Sequence, residues 1–194
     1  MTFLKDPLQQ DPEVDLDWPL GDVSVSDTVK PVLMELMEPI YEEIRKLKWL
    51  MHHDVLTGLP NELSFQRRLV DREGGFFLVA DLDGFKEYQD RKSSHRAGDM
   101  VIIEFAEFLR ATVMDLRCPQ TLFARLHGDE FMLWTPTQST AEHLRDAIES
   151  WLNLDGGVTA SAGLGTTMDT ADVDMYQRKS GRKQRRFQQQ CQAK

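Results

Sequence analysis

The segment GGFFLVADLDGF, residues 74–85, constrains this chain more than any other: it is an unbroken apolar run that ends in acids. A strand covered on one face alternates apolar and polar residues, whereas a continuous run must be covered on both faces. The segment therefore predicts a buried central strand that delivers Asp81 and Asp83 to the edge of the core and feeds a functional loop. A second segment, TLFARLHGDEFMLWT (residues 121–135), has two apolar stretches joined by a tight polar turn. It predicts a hairpin with Asp129 and Glu130 at its bend.

The other periodic segments fall around these two. Residues 27–52 read as a helix whose Leu33, Met37, Ile40, Ile44, Leu47 and Met51 form a heptad seam. Pro39 interrupts the seam, and a proline inside a helix costs about 3 kcal/mol, so a kink or a restart with Pro39 in the first turn is expected. The seam serves either to pack on its own domain or to form a dimer coil. Helices are predicted at 61–72, 95–116, 140–152 and, short and last, 171–180. The longest carries Val101, Ile102, Phe105, Phe108 and Leu109 on one side. A further strand is predicted at 158–165. This order implies an α+β fold, with helices around a mainly antiparallel sheet.

Whole-chain properties narrow the partners. The formal charge of -9 argues against a general nucleic-acid binder, because a phosphate backbone would repel it. Charge is uneven: residues 1–30 hold seven acids, and residues 178–194 hold seven basic residues and no acid. Residues 1–26, with scattered Pro and Asp, read as an acidic flexible arm that Trp18 and Leu20 could anchor. Cys118 and Cys191 lie in no disulfide or zinc pattern. No apolar run is long enough to span a bilayer, and the acidic beginning is unlike a secretory signal, so a cytoplasmic location is expected.

The acids carry the chemistry. Carboxylates converging at the edge of a core repel one another, which is costly unless a cation sits between them. Oxygen ligands without a nearby Cys or His favour Mg²⁺, which keeps one or two carboxylates plus substrate phosphates. That combination suits polymerase-type attack of a hydroxyl on an α-phosphate.

Six motifs then carry a resemblance. HGDEF (residues 127–131) resembles the GGDEF signature, HDVLTGLPN (53–61) the family's opening motif, and DLDGFKEYQD (81–90) its metal and phosphate loop. HRAGD (95–99) is similar to the start of its long helix, SAGLGT (161–166) to a late strand, and ADVDMYQRKSGR (171–182) to its closing helix. They occur in the family's order over residues 54–182. The resemblance implies a diguanylate cyclase with a nucleotidyl-cyclase or polymerase-palm-like sheet, condensing two GTP into cyclic di-GMP. It divides the chain into the arm at 1–26, a signalling or dimerisation helix at 27–52, a GGDEF domain at 53–186 and a polar tail at 187–194.

Carried over residue by residue, the resemblance implies that Asp81, the Leu82 carbonyl and Asp129 hold Mg²⁺ (or Mn²⁺), with Glu130 supporting metal and turn. Asp129 is the base for the ribose 3′-hydroxyl. Lys86 stabilises the transition state, with Phe85 in the phosphate loop and Gly128 in the turn. Gln89 stands where the family has a guanine-contacting Asn. Asp99 accepts from the guanine N1–H and amine, which favours GTP over ATP, and His95 holds the family's histidine position. Arg182 and either Arg178 or Lys179 contact the β- and γ-phosphates, since the spacing there is one residue short. Gly58 and Asn61 shape a turn. Catalysis implies a homodimer, and a regulatory partner could act through residues 1–52.

The sequence also departs from the pattern. His127 replaces the first Gly of the signature, Gln89 is one methylene longer than Asn, and Ser94 replaces a Gly. Polar KQRRFQQQCQAK stands in place of a closing strand, and the two product-inhibition positions are Cys118 and Thr121. The alternative implied by these changes is a non-catalytic domain that binds GTP or a partner protein as a regulatory module.

Overall fold

In the computed structural model the backbone is described for residues 29–192 and the side chains for residue 29 and residues 31–182. The expected arm at 1–26 lies outside the described residues, as do the side chains of the tail at 187–194.

The apolar run forms β1 (Phe76–Asp83), the inner strand that the sequence requires. It is flanked by β3 (Glu130–Thr135) and β4 (Thr159–Gly165), and β2 (Leu122–His127) lies outside β3. The sheet order is β2-β3-β1-β4, and every pairing is antiparallel. Asp81 is opposite Glu130 on one side and Ser161 on the other. The ladder to β3 stops there, whereas the ladder to β4 continues to Asp83↔Thr159, so β1 opens on its hairpin side at Leu82.

Alternation along β1 assigns its side chains to two layers. Leu78, Ala80 and Leu82 enter the larger core, under α4 (His95–Asp115) and α5 (Gln138–Ser150). There Phe105 packs edge-on against Phe131 and Trp151, with ring centroids 4.8 and 4.9 Å apart. Phe77 and Val79 point to the opposite face, where α2 (Glu62–Leu69) contributes Phe65 and α6 (Met168–Gln192) contributes Ala171 and Met175. Asp81 and Asp83 continue this odd-numbered row. The acids therefore face α6, the most basic helix of the chain.

Capping side chains fix where the helices begin. Asn61 accepts from the Ser64 amide, Ser94 from Ala97 and Thr137 from Thr140, each three residues on. The Thr137 cap starts α5 two residues before the expected 140. Between β1 and α4 a separate helix, α3 (Phe85–Lys92), runs from Gly84 to Ser93, both in the left-handed region.

Two expectations are corrected. The N-terminal helix α1 (Lys30–His52) does not restart at Pro39; Pro31 occupies its first turn and Pro39 lies inside. Proline there removes one backbone bond, while Arg45, on the C-terminal side of the interruption, bridges Glu38 and Glu42 at 3.0 and 2.6 Å. Of its seam, Leu33, Met37 and Ile44 are partly covered, but Ile40, Leu47 and Met51 are 55%, 53% and 52% exposed. The last helix is not short: α6 starts near the Thr167 cap and continues to Gln192. Lys, Arg and Gln are good helix formers, so a polar sequence past Arg182 extends the helix. Among the described residues no helix is long and apolar enough to cross a membrane.

Candidate active site

The end of β1, the loop into α3, the β2–β3 turn and α6 surround a cleft of about 480 Å³. Its wall includes Leu82, Asp83 and Phe85 from the β1–α3 segment, Asp129 from the turn, and Lys179 and Arg182 from α6. Lys86 also lines it, from the first turn of α3. The amides of Phe85, Lys86 and Glu87 have no partner within the helix, and no side chain caps this end. Such a terminus presents N–H groups and a positive dipole to an anion.

Asp81 does not itself line the cleft; its carboxylate accepts from the ammonium of Lys179, which does. Burial pushes the Asp81 carboxyl above the usual carboxylate range, Lys179 pulls it down, and the charges of Asp129 and Asp83 push it up again, leaving it raised. The carboxylates from strand end and hairpin turn are thus close enough to repel. Among the described residues no three His, Cys, Asp or Glu side chains form a ready-made metal cage. Two carboxylates and a carbonyl instead suit a hard divalent cation that completes its shell with phosphates and water. Lys179 balances the Asp81 charge in this structure, and the oxygen donors are of the kind that suit Mg²⁺ or Mn²⁺.

The signature turn is held from behind. Gly128, at φ +53, occupies the first of two residues between His127 and Glu130, with the sign that a two-residue II′ turn requires. Its carbonyl accepts from Arg125 Nε at 3.1 Å and Nη2 at 2.7 Å. Arg125 Nη1 donates to both Asp54 oxygens, at 2.8 and 2.9 Å. Asp54 also accepts from the Thr57 amide and hydroxyl. Burial alone would raise the Asp54 carboxyl, but these hydrogen bonds and the Arg125 charge hold it below its ordinary value. Neither residue was a candidate from sequence. The signal was there in Arg125, a lone cation in an apolar strand, but its partner lies 71 residues away.

Arg125→Met leaves Asp54 half-buried without its cation and frees the Gly128 carbonyl, so it is expected to cost about 2 kcal/mol near neutral pH. A carboxyl lowered on folding adds stability above its unfolded value, about pH 4, and loses it as pH falls through the folded value. The gap between wild type and Arg125→Met in urea denaturation is therefore expected to shrink on acidification below about pH 4.

The remaining candidates separate into groups. Gln89 packs on α4 at the seam of α3 and α4: a Cβ on Gly98 would overlap the Gln89 amide nitrogen and lie 2.8 Å from its Cδ. Gln89 thus lies against Gly98, one residue from Asp99, while His95 is exposed at the start of α4. Lys179 reaches the cleft; Arg178 does not line it and binds Asp174 at 2.9 Å and Glu149 at 3.4 Å. Arg182 donates to the Ala160 carbonyl at 2.7 Å and to Glu149 at 2.9 Å, with Asp83 at 3.7 Å. Asp83 itself accepts from Ser161 at 2.6 Å. Glu130 lies 3.4 Å from His127 Nε2, and the His127 side chain is 73% exposed. Cys118 and the buried Thr121 both face Thr135.

Residues 51–185 match the family model described as "Diguanylate cyclase, GGDEF domain". Diguanylate cyclase TpbB of Pseudomonas aeruginosa is 36% identical over 140 residues, 64% of this chain and 31% of that protein. The bifunctional diguanylate cyclase/cyclic di-GMP phosphodiesterase MucR of the same species is 39% identical over 106 residues, 50% of this chain and 15% of that protein. The chain thus spans less than a third of either relative. Among solved structures, a sensory box/GGDEF family protein from Caulobacter crescentus aligns at 30% identity with TM-score 0.55, covering 67% of this chain and 99% of that one. The GGDEF domain of TpbB aligns at 30% identity with TM-score 0.52, covering 67% and 90%.

Proposed function

The chain belongs to the GGDEF family of diguanylate cyclases, and we propose that it is itself a cyclase, joining two GTP into cyclic di-GMP with release of two pyrophosphates. The observation that carries this reading is a cleft lined by Asp83, Asp129, Lys179 and Arg182, with Asp81 paired to Lys179 and close enough to Asp129 and Asp83 to feel their charge. Acids for a divalent ion and cations for a polyphosphate lie side by side.

In this reading Asp81, the Leu82 carbonyl and Asp129 hold Mg²⁺ or Mn²⁺, with Glu130 behind the turn. The ion, when bound, neutralises charge at the α-phosphate and makes the attacking hydroxyl more acidic. Asp129 accepts the proton of a ribose 3′-hydroxyl. The O3′–Pα bond forms as the bond from Pα to the pyrophosphate oxygen breaks, and a second, symmetrical attack closes the ring. Lys86 and the amides of Phe85 to Glu87 hold the phosphates while charge develops. Lys179 and Arg182 leave their carboxylates for the β- and γ-phosphates, and Arg178 keeps α6 anchored to Glu149. Asp99 and Gln89 read the guanine edge beside His95, and Gly128 lets the turn approach the sugar.

Each protomer offers one nucleotide and half a reaction centre, so the active species is a face-to-face homodimer in the cytoplasm, where GTP is available. The exposed Ile40, Leu47 and Met51 of α1 support a role in pairing, and residues 1–52 are the surface offered to a regulatory partner. Cys118 and Thr121 supply neither cation nor carboxylate, so feedback by product at that position is absent. One contact favours a second reading, a regulatory module that binds GTP without turnover: His127 engages Glu130 of the signature. The test is the reaction product. Protein incubated with GTP and Mg²⁺ is expected to give cyclic di-GMP by mass spectrometry; GTP bound but returned intact would establish the second reading instead.

A further inference from the structure

The cleft contains a cation that no motif singled out. Arg91, near the end of α3, lines the same cavity as Lys86, Asp129 and Lys179. Its guanidinium reaches back along the helix to the loop before β4, where an Nη lies 2.8 Å from the position of a Cβ on Gly157. The Gly157 carbonyl in turn lies 3.1 Å from the position of a Cβ on Gly84, the residue that precedes the first turn of α3. Arg91 therefore places its charge near the level of the free amides of Phe85, Lys86 and Glu87. Glycine is favoured at 157 by its backbone, which takes φ +103, and the absent side chain leaves room for the Arg91 guanidinium.

The guanidinium is also held ready. It sits 5.5 Å from the centroid of the Tyr88 ring, and that ring is buried and pinned by a hydrogen bond from its hydroxyl to Asp155 at 3.0 Å. Neighbouring Lys92 is bound to Asp155, and Lys179 and Arg182 are bound to Asp81, Asp83 and Glu149. Among the described residues Arg91 and Lys86 are the cleft cations with no carboxylate partner. Arg91 is exposed, and its unpaired guanidinium lines the same cleft as Phe85, Lys86 and Glu87, whose amides are free. Such a group matches the oxygens of a phosphate, which it can grip with two parallel hydrogen bonds.

We propose that Arg91 is a substrate-binding residue that grips the terminal phosphates of the nucleoside triphosphate and so distinguishes substrate from nucleoside monophosphate. The assignment rests on the cyclase reading. Calorimetry with Mg²⁺ and a GTP analogue carrying an α,β-methylene bridge, and separately with GMP, tests it in the full chain. Arg91→Gln is expected to weaken the analogue about tenfold or more, the effect of losing a charge-assisted hydrogen bond, and to change GMP affinity less than about twofold. Arg91→Lys, which keeps charge but loses the fork, is expected to fall between. Equal binding of the analogue by wild type and Arg91→Gln overturns the assignment, as does an equal loss for GMP, which would mark a structural role. Wild type that binds neither nucleotide overturns the cyclase reading and this assignment together.

Discussion

Asp129→Asn protein is expected to fold normally, bind GTP, and form cyclic di-GMP about a thousandfold more slowly than wild type. A positioned general base contributes about 10²- to 10⁴-fold, and loss of a carboxylate from the ion site adds to that. Asparagine keeps the shape of the turn, because the turn's conformation depends on Gly128 and on the Arg125 clamp to its carbonyl. The substitution also removes one of the charges that push the Asp81 carboxyl up, so thermal stability should be unchanged or slightly higher. Turnover is followed by product formation at saturating GTP, with melting temperature as the control for folding. Equal turnover by the two proteins would remove Asp129 from the chemistry.

The largest effect on the fold is expected at Gly163. This residue lies in β4 opposite Val79, directly beneath α6. A methyl group there would overlap the Ala171 carbonyl and the Met175 amide and lie 2.6 Å from the Met175 Cα. These are helix backbone atoms, which cannot rotate aside as a side chain tip can, so the whole helix must shift. Overpacking of this kind costs about 1–3 kcal/mol and occasionally more. Gly163→Ala is accordingly expected to lose about 3 kcal/mol and to melt about 6–12 °C lower. Lys179 lies one turn beyond Met175, so displacing α6 should also separate it from Asp81 and weaken nucleotide binding. Gly181, on the same helix, has nothing within 4 Å of its Cβ position. Gly181→Ala should be neutral or stabilising by up to about 1 kcal/mol. An unchanged melting temperature for Gly163→Ala would contradict the glycine-bedded packing of α6.

Much of this architecture is written locally. An apolar run closed by acids reads as an inner strand, and β1 is one. The hairpin at HGDEF follows from its two apolar flanks and short polar turn, and α4 from the spacing of Val101, Ile102, Phe105 and Leu109. What escaped the sequence depends on distance or on rotation about a helix. Asp54 and Arg125 are far apart in the chain, and no spacing rule joins them. Arg178 and Lys179 are adjacent, yet one residue is about 100° of helix rotation. That rotation turns Lys179 to Asp81 and Arg178 to Asp174 and Glu149. The length of α6 escaped for another reason: a polar, basic segment reads as a tail unless its helix propensity is weighed. Arg91 was invisible because it meets the cleft beside Gly157, 66 residues on and outside every motif.

In the proposed cyclase, the acids of the β1 end and of the hairpin turn cooperate on a bound guanine nucleotide in each of two facing protomers. Mass spectrometry of wild-type protein with GTP and Mg²⁺, at several protein concentrations, tests it most directly. Cyclic di-GMP with two pyrophosphates per product, formed at a rate per protomer that rises with protein concentration, is the predicted result. GTP recovered intact at the highest concentration would contradict it.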